Sequence, residues 1–324
     1  MKRIAVLTSG GDGPGLNAVI RSVTRQAIQR EVTIFGVYWG YKGLLSNDIK
    51  ELSNRDVGGI MARGGTVLGT ARCLEFFDIN VRRTAIRHLN QHGIEGLIVI
   101  GGNGSLAGAL ALHNMGFPTF GIPASIDNDL NCTDMSVGVD TTLNTILDAI
   151  DRIKDTASSH QRAFLIEVMG RDCGYLALAS GLAGGAELIL VPEQPGPEME
   201  VIAHTVEDAY IRGKGHCIIV IAEGWKPGTR AVADYLNTHH EDLGFDVRVT
   251  VLGHVQRGGR PSVYDRIIAT RMGAFAANQL IDGSSGNMVG IQGGILKVVP
   301  LTESVASLRP LDLKYLELSD VMDG

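Results

Sequence analysis

The fold is decided by the stretch Leu97–Asp129, LIVIGGNGSLAGALALHNMGFPTFGIPASIDND. It opens on a short apolar run, Leu97–Ile100, which reads as a buried parallel strand. The chain then turns through Gly101, Gly102, Asn103, Gly104 and Ser105 and continues as a small-residue helix over Leu106–Met115. A second apolar run, Pro118–Ile122, leads into Pro123-Ala124-Ser125-Ile126-Asp127-Asn128-Asp129. A glycine-rich turn between strand and helix lets backbone N–H groups approach a phosphate, and the helix N-terminus favours its negative charge. Adjacent parallel strands end on one edge of a sheet, so the glycine loop and the Asp127/Asp129 loop are expected to face one crevice. A phosphate cradle beside two carboxylates points to phosphoryl transfer, with a metal bound and a proton taken from an attacking hydroxyl.

The rest of the chain continues this pattern. Upstream, Arg3–Thr8 reads as a buried strand feeding Ser9-Gly10-Gly11-Asp12-Gly13-Pro14-Gly15-Leu16-Asn17 and a helix through Ile28. One such loop could simply close a βα unit; a second on a neighbouring strand favours phosphate binding. Val32–Tyr38 is the next strand, Gly40–Leu44 reads as a loop, and Arg63–Arg72 is a glycine-rich loop bracketed by arginines. Arg72 is either a phosphate-binding fork or a solvated surface charge. Ile79–His92 reads as an amphipathic helix. The order predicts a doubly wound, mainly parallel sheet.

Downstream, the pattern predicts a helix over Val139–Thr156, a polar linker at Ser158–Arg162 and a strand at Ala163–Val168 ending in Met169-Gly170-Arg171-Asp172-Cys173-Gly174. A helix at Tyr175–Ala183, a strand at Leu188–Val191, a helix at Glu198–Arg212 and a strand at His216–Ala222 ending at Glu223-Gly224 follow. Thr229–Glu241 reads as helix, Asp246–Leu252 as strand, and Ser262–Leu280 as helix. Val289–Val299 reads as a short strand or hairpin before a tail. No Ser/Pro linker separates the halves. The fold class expected is α/β, with two Rossmann-like lobes packed face to face, each with a mainly parallel sheet flanked by helices.

Composition narrows the function. The 324 residues are 44% apolar and 20% charged, with a formal charge of −6. This is a globular composition with no global electrostatic support for nucleic acid. Cys73, Cys132, Cys173 and Cys217 are widely spaced, with no zinc-like pairing, and read as reduced thiols of a cytoplasmic protein. No apolar run is long enough to span a bilayer and no signal peptide is evident, so no membrane association is expected.

Gly10–Asn17, Gly101–Ser105, Pro123–Asp129, Ser159-His160-Gln161-Arg162, Met169-Gly170-Arg171 and Gly253-His254-Val255-Gln256-Arg257-Gly258-Gly259 occur together in this order. In order and spacing the set resembles the bacterial-type ATP-dependent 6-phosphofructokinase family, from Lys2 to about Val299. The resemblance implies transfer of a phosphoryl group from ATP to the 1-hydroxyl of fructose 6-phosphate, with Mg²⁺, allosteric control and a homotetramer. It implies a nucleotide-binding lobe of residues 1–138 with 257–304, and a sugar-phosphate lobe of 139–256 with 305–324.

Site roles follow from the same resemblance. Asp127 corresponds to the general base, Asp129 lies beside the metal, and Ser125, Gly11, Arg72 and Arg171 serve the transferring phosphoryl. Tyr41, Cys73, Gly102, Gly104, Ser105 and Gly108 join Gly11, Arg72 and Asn103 on the nucleotide side. Met169, Gly170, Arg171, Glu223 and His254 join Ser125, Asp127 and Asp129 on the sugar side. Arg162 and Arg248 correspond to arginines reaching in from a neighbouring subunit, and Arg257 to the sugar-phosphate group. Arg21, Arg25, Lys154, Gly185, Glu187, Arg212, Lys214 and His216 resemble the pocket for a phosphorylated effector of the ADP or phosphoenolpyruvate type.

Three departures stand out. Asn103 replaces a carboxylate that in most ATP-using members serves Mg²⁺, leaving Asn103 and Asp129 as the metal-side pair. Ala124 and Ser125 replace Gly and Thr, and Phe77 stands where many members have a basic residue. Pyrophosphate-using relatives typically carry Asp at the position of Gly104 and Lys at that of Ala124, so that donor is disfavoured. The alternatives are a catalytically weakened regulatory paralogue, use of ADP as donor, or another kinase with a similar glycine loop, which the sugar-side set disfavours.

Overall fold

The computed structural model describes residues 1–239 and 243–323. The strands are β1 (Arg3–Ser9), β2 (Thr33–Val37), β3 (Ile49–Glu51), β4 (Gly96–Gly101), β5 (Thr119–Pro123), β6 (Arg162–Val168), β7 (Leu188–Leu190), β8 (His216–Ala222), β9 (Asp246–Val251), β10 (Asn287–Gln292) and β11 (Ile295–Pro300). The helices that matter below are α1 (Leu16–Gln29), α2 (Gly40–Ser46), α3 (Ile79–Gln91), α4 (Asn103–His113), α5 (Val139–His160), α6 (Tyr175–Ala183), α7 (Met199–Ile211), α8 (Thr229–Thr238) and α9 (Val263–Ile281).

Two compact units divide the chain: residues 1–141 with 257–309, and 142–256 with 310–324. In the first, a seven-stranded sheet has the order β11-β10-β5-β4-β1-β2-β3. Its five central strands are parallel, and the edge strands β3 and β11 run antiparallel to their neighbours. Every residue of β4 is buried, as expected for a strand covered on both faces. Ile98 and Ile100 pack with α1 and α9 residues such as Val19, Val23, Met272 and Ala276. Leu97 and Val99 pack on the opposite face with Leu89, Leu106 and Leu112. The chain proceeds from β1 to β2 on one side and returns to β4 on the other. The sheet direction therefore switches between β1 and β4, which is where α/β sheets open a ligand crevice.

In the second unit, a fully parallel four-stranded sheet has the order β7-β8-β6-β9. One of its cores joins Leu165, Ile219 and Ile221 to Ile202 and Val206 of α7 and to Val232 and Leu236 of α8.

Several local expectations need correction. Gly40–Leu44 is not a loop but most of α2. Trp39 and Gly40 both take positive φ, 62° and 60°, and this turn re-aims the chain directly into a helix. α4 begins at Asn103 rather than Leu106, so Asn103, Gly104 and Ser105 of the expected turn form the helix's first turn. Ser158–His160 belong to α5 and Arg162 opens β6, leaving only Gln161, at φ 50°, as the connection. Ile49–Glu51, only three residues long and without a strand-like sequence pattern, forms β3 by antiparallel pairing with β2. The tail holds helices at Leu301–Ser304 and Lys314–Asp323. Glu241, placed at the end of a helix by periodicity, lies outside the described residues.

Candidate active site

The first glycine loop, the second glycine loop and the carboxylate loop all leave the same edge of the first unit's sheet. Ser9 is in register with Gly101, and Gly101 with Pro123. Gly101 is needed here, since a Cβ would lie 2.4 Å from the Ser9 carbonyl oxygen. The N-cap of α4, Gly102, supplies no side-chain acceptor, and its carbonyl takes the N–H groups of Ser105 and Leu106; an uncapped helix N-terminus of this kind favours an anion.

The carboxylate loop meets this helix end through direct bonds. Asn103 Nδ2 donates to Asp129 Oδ2 at 2.8 Å. Ser125 Oγ donates to Asp129 Oδ1 at 3.5 Å and accepts from the Asp127 N–H at 3.2 Å. Asp127 is buried, 4% exposed. Between the two acids, Asn128 adopts φ 52°. Its side chain accepts from Ser136 N and donates to the Asp134 carbonyl, fixing the loop so that Asp127 and Asp129 flank a structural residue.

The loop carrying Arg72 is stitched to the sheet from α1 and β1. Asn17 Nδ2 donates to the carbonyls of Arg63 and Gly64, and its Oδ1 accepts from Val67 N at 2.7 Å. Thr8 Oγ1 donates to the Gly69 carbonyl, and Thr70 Oγ1 donates to that of Gly10. Arg257 lies over the first glycine loop, donating to the Asp12 carbonyl at 3.2 Å. A Cβ on Gly11 would sit 2.4 Å from Arg257 Nη1, so glycine at 11 admits the guanidinium.

Five of the residues expected on the nucleotide side, Tyr41, Arg72, Cys73, Gly104 and Gly108, line one cavity of about 290 Å³. Gly11, Gly102, Asn103 and Ser105 do not line it. Ser105 is buried, and its carbonyl accepts from Tyr41 Oη at 2.6 Å. Tyr41 stacks on Phe76 with centroids 4.0 Å apart. Burial pushes the Tyr41 phenol pKa far up and raises that of the Cys73 thiol, so both stay neutral. Phe76, Phe77, Arg82, Ala107 and Ala111 also line the cavity. Of these, only Phe77 stands out in the sequence, although Ala107 and Ala111 continue the spacing of Gly104 and Gly108 along α4.

The sugar-side residues of the second unit gather at the ends of β6 and β8. Gly170 has φ 138° and Arg171 φ 54°, the latter a left-handed conformation that is uncommon outside glycine. Glu223 Oε1 accepts from the backbone N–H of Gly170 at 3.3 Å and of Arg171 at 2.8 Å. A Cβ on Gly224 would lie 1.9 Å from the Arg171 carbonyl oxygen. Glu223 is thus engaged in shaping the loop, and the Arg171 residue is exposed. Fully buried Gln256, not singled out by sequence, accepts from Met169 N at 3.1 Å and donates to the Gly253 carbonyl at 3.0 Å. His254 is exposed on the same short turn. Arg162 and Arg248 are not brought to this end: they lie at or near the starts of β6 and β9, where Arg162 is in register with His216, and both face Asp246, at 4.0 and 3.2 Å.

A second cationic cluster occupies the opposite ends of these strands. Lys154 Nζ bonds the Gly184 carbonyl beside Gly185, which has φ 57°. Lys214 pairs with Glu187 at 3.3 Å, and Glu187 also accepts from Ile218 N. His216 Nδ1 meets Ser158 Oγ at 2.8 Å, and burial lowers the His216 pKa. Arg212 is exposed at the end of α7. Arg21 and Arg25 share a face of α1 in the other unit, where burial and then mutual repulsion lower the Arg21 pKa. Among the described residues no group of three or more His, Cys, Asp or Glu could hold a metal by itself, and no helix is long and apolar enough to cross a membrane.

Comparison with known proteins gives the family. Residues 3–280 match the phosphofructokinase family. The chain is 50% identical over 323 residues to an ATP-dependent 6-phosphofructokinase of Macrococcus caseolyticus, covering 99% of both chains. It is 51% identical over 319 residues to one of Bacillus cereus, covering 98% of both. Among solved structures, Pichia pastoris phosphofructokinase superposes with a TM-score of 0.89 at 36% identity, covering 99% of this chain and 37% of that one. With its motifs and fold shared across nearly its whole length, the chain belongs to the phosphofructokinase family.

Proposed function

We propose that this chain transfers the γ-phosphoryl group of ATP to the 1-hydroxyl of fructose 6-phosphate. The observation that carries the reading is the junction of Asp127, Asp129 and the α4 N-terminus at one sheet edge, bound by the Asn103–Asp129 and Ser125–Asp129 hydrogen bonds. The names of relatives about 50% identical over the full chain support the same substrates. In this reading Asp127 accepts the proton of the 1-hydroxyl, whose oxygen attacks the γ-phosphorus as the bond to the β–γ bridging oxygen breaks and ADP leaves. The N–H groups of α4 and the Arg72 and Arg171 guanidinium groups hold phosphate oxygens. Gly11 leaves room for close approach. The Ser125 hydroxyl, besides orienting Asp129, is read as touching the transferring group.

The donor set suits Mg²⁺. This ion is usually held by one or two carboxylates and by substrate phosphates rather than by an all-protein cage, and Asp129 with the oxygens of Asn103 and Ser125 meets that need. When bound there, Mg²⁺ neutralises charge on the phosphate oxygens. Met169, Gly170, Glu223, His254, Arg162, Arg248 and Arg257 form the sugar-phosphate side of the reading. The Lys154–Gly185–Glu187–Arg212–Lys214–His216 cluster and, separately, Arg21 and Arg25 are read as binding groups for an ADP or phosphoenolpyruvate effector in a cytoplasmic homotetramer.

A coupled assay of fructose 1,6-bisphosphate formation tests the proposal, with ATP, ADP and pyrophosphate offered in turn. Turnover with MgATP well above the other two donors is expected. Absence of product with MgATP, with and without ADP or phosphoenolpyruvate as effector, would defeat it.

A further inference from the structure

Gly104, Ala107, Gly108 and Ala111 occupy one row of α4 and line the 290 Å³ cavity of the first unit. The row extends about 10 Å from the phosphate-binding end of the helix along its axis. The small side chains leave the space open, and Leu74, Phe76 and Phe77 of one short turn also line it. The Tyr41 hydroxyl at the cavity floor is committed to the Ser105 carbonyl, so it is not available to read a base edge. On the rim, Phe77 is 79% exposed and Leu74 is 75% exposed.

This rim is held firmly. Arg82 Nη1 donates to the carbonyls of Phe76 at 3.1 Å and Phe77 at 2.9 Å. Asp78, the next residue, caps α3 by accepting from Asn80 N at 2.7 Å. Phe77 is therefore a large aromatic side chain on a fixed backbone, largely in water, at the mouth of an apolar cleft. What sets Phe77 apart from most other exposed apolar side chains is that it lines the cavity, and a contact surface held in place in advance binds with little ordering cost.

We propose that Phe77 is a specificity-determining residue of the nucleotide site: its ring covers the outer face of the base and favours a purine over a pyrimidine. The inference rests on reading this cavity as the nucleotide site. A purine's second ring reaches the rim, whereas a single pyrimidine ring leaves Phe77 uncovered. Contact is by stacking and apolar area, so the group is blind to exocyclic substituents and sensitive to ring size.

The test compares KM and kcat for ATP and CTP in the unmodified enzyme, Phe77→Ala and Phe77→Trp. Removing one aromatic–base contact weakens binding about tenfold. Phe77→Ala is expected to raise KM for ATP about tenfold and KM for CTP less than threefold, with KM for fructose 6-phosphate and the melting temperature unchanged. Phe77→Trp is expected to keep the discrimination. Equal weakening of ATP and CTP, or an ATP KM within twofold of the unmodified value, would overturn the proposal. Calorimetric binding of the β,γ-imido analogues of ATP and CTP reads the same ratio without turnover. An enzyme that binds them with this selectivity but forms no product would defeat the proposed reaction while leaving the role of Phe77 intact.

Discussion

The loops at the sheet edges of the two units are fixed by different means. At the carboxylate loop of the first unit, side chains hold a side chain: Asn103 and Ser125 grip the two oxygens of Asp129, while Asn128 bonds the backbone behind them. In the second, side chains hold backbone: Glu223 and Gln256 take the N–H groups of residues 169–171, and Arg171 is kept in a left-handed conformation. The first arrangement orients functional groups directly. The second stores conformational strain of order 1–3 kcal/mol and depends on glycine where the chain folds back on itself. Sensitivity to mutation should therefore differ in kind between the two.

The largest effect expected from that difference is at Gly224. A Cβ there meets the Arg171 carbonyl at 1.9 Å, so Gly224→Ala must displace the Arg171 loop. Misplacement by about 1 Å can cost about 100-fold in rate. Steady-state kinetics should show kcat/KM for fructose 6-phosphate falling by about that factor while KM for ATP stays within about threefold. Equal losses on both substrates would mean that the loop is not specific to the sugar side.

A smaller effect is expected at Asn103. Asn103→Asp replaces a donor 2.8 Å from Asp129 with a second carboxylate. An added unit charge about 4 Å from a divalent ion is worth up to about 8 kcal/mol at an effective dielectric of 20, before desolvation, repulsion from Asp129 and water screening reduce it. Mn²⁺ binding to the nucleotide-free protein, followed by electron paramagnetic resonance, should tighten about tenfold. An unchanged affinity would place the metal elsewhere.

The smallest effect concerns His216, in the cationic cluster of the second unit. Burial lowers its pKa in the folded chain, so the unfolded chain takes up the proton first as pH falls. Its contribution to stability is complete above the unfolded value of about 6.5 and is lost as pH falls through the folded pKa. His216→Gln should flatten the decline in melting temperature between about pH 6.5 and 5. A steeper decline in the variant would reverse the assignment.

Much of the first unit was legible before any coordinates. Apolar runs such as Leu97–Ile100 identify buried parallel strands, and glycines at strand ends mark the phosphate loops. Parallel pairing then brings Asp127 and Asp129 to the Gly101–Ser105 edge. Less accessible were features set by long-range side-chain-to-backbone bonds. Asn17 holds a loop about 50 positions away and Gln256 one 87 positions away, and neither pairing leaves a local pattern. α2 was hidden because a positive φ at Trp39, a bulky residue, is not a signal that propensity supplies. Arg257 reads as a phosphate-binding arginine in sequence, and only the structure shows it lying over Gly11 and Asp12.

The central claim is that buried Asp127 accepts the proton in phosphoryl transfer. The most direct measurement is steady-state turnover of Asp127→Asn with fructose 6-phosphate and MgATP, beside the unmodified enzyme. Loss of a positioned general base lowers the rate by about 10²–10⁴-fold. The account predicts a kcat reduced by about 10³-fold with both KM values within about threefold. A variant turning over within threefold of the unmodified enzyme would contradict it.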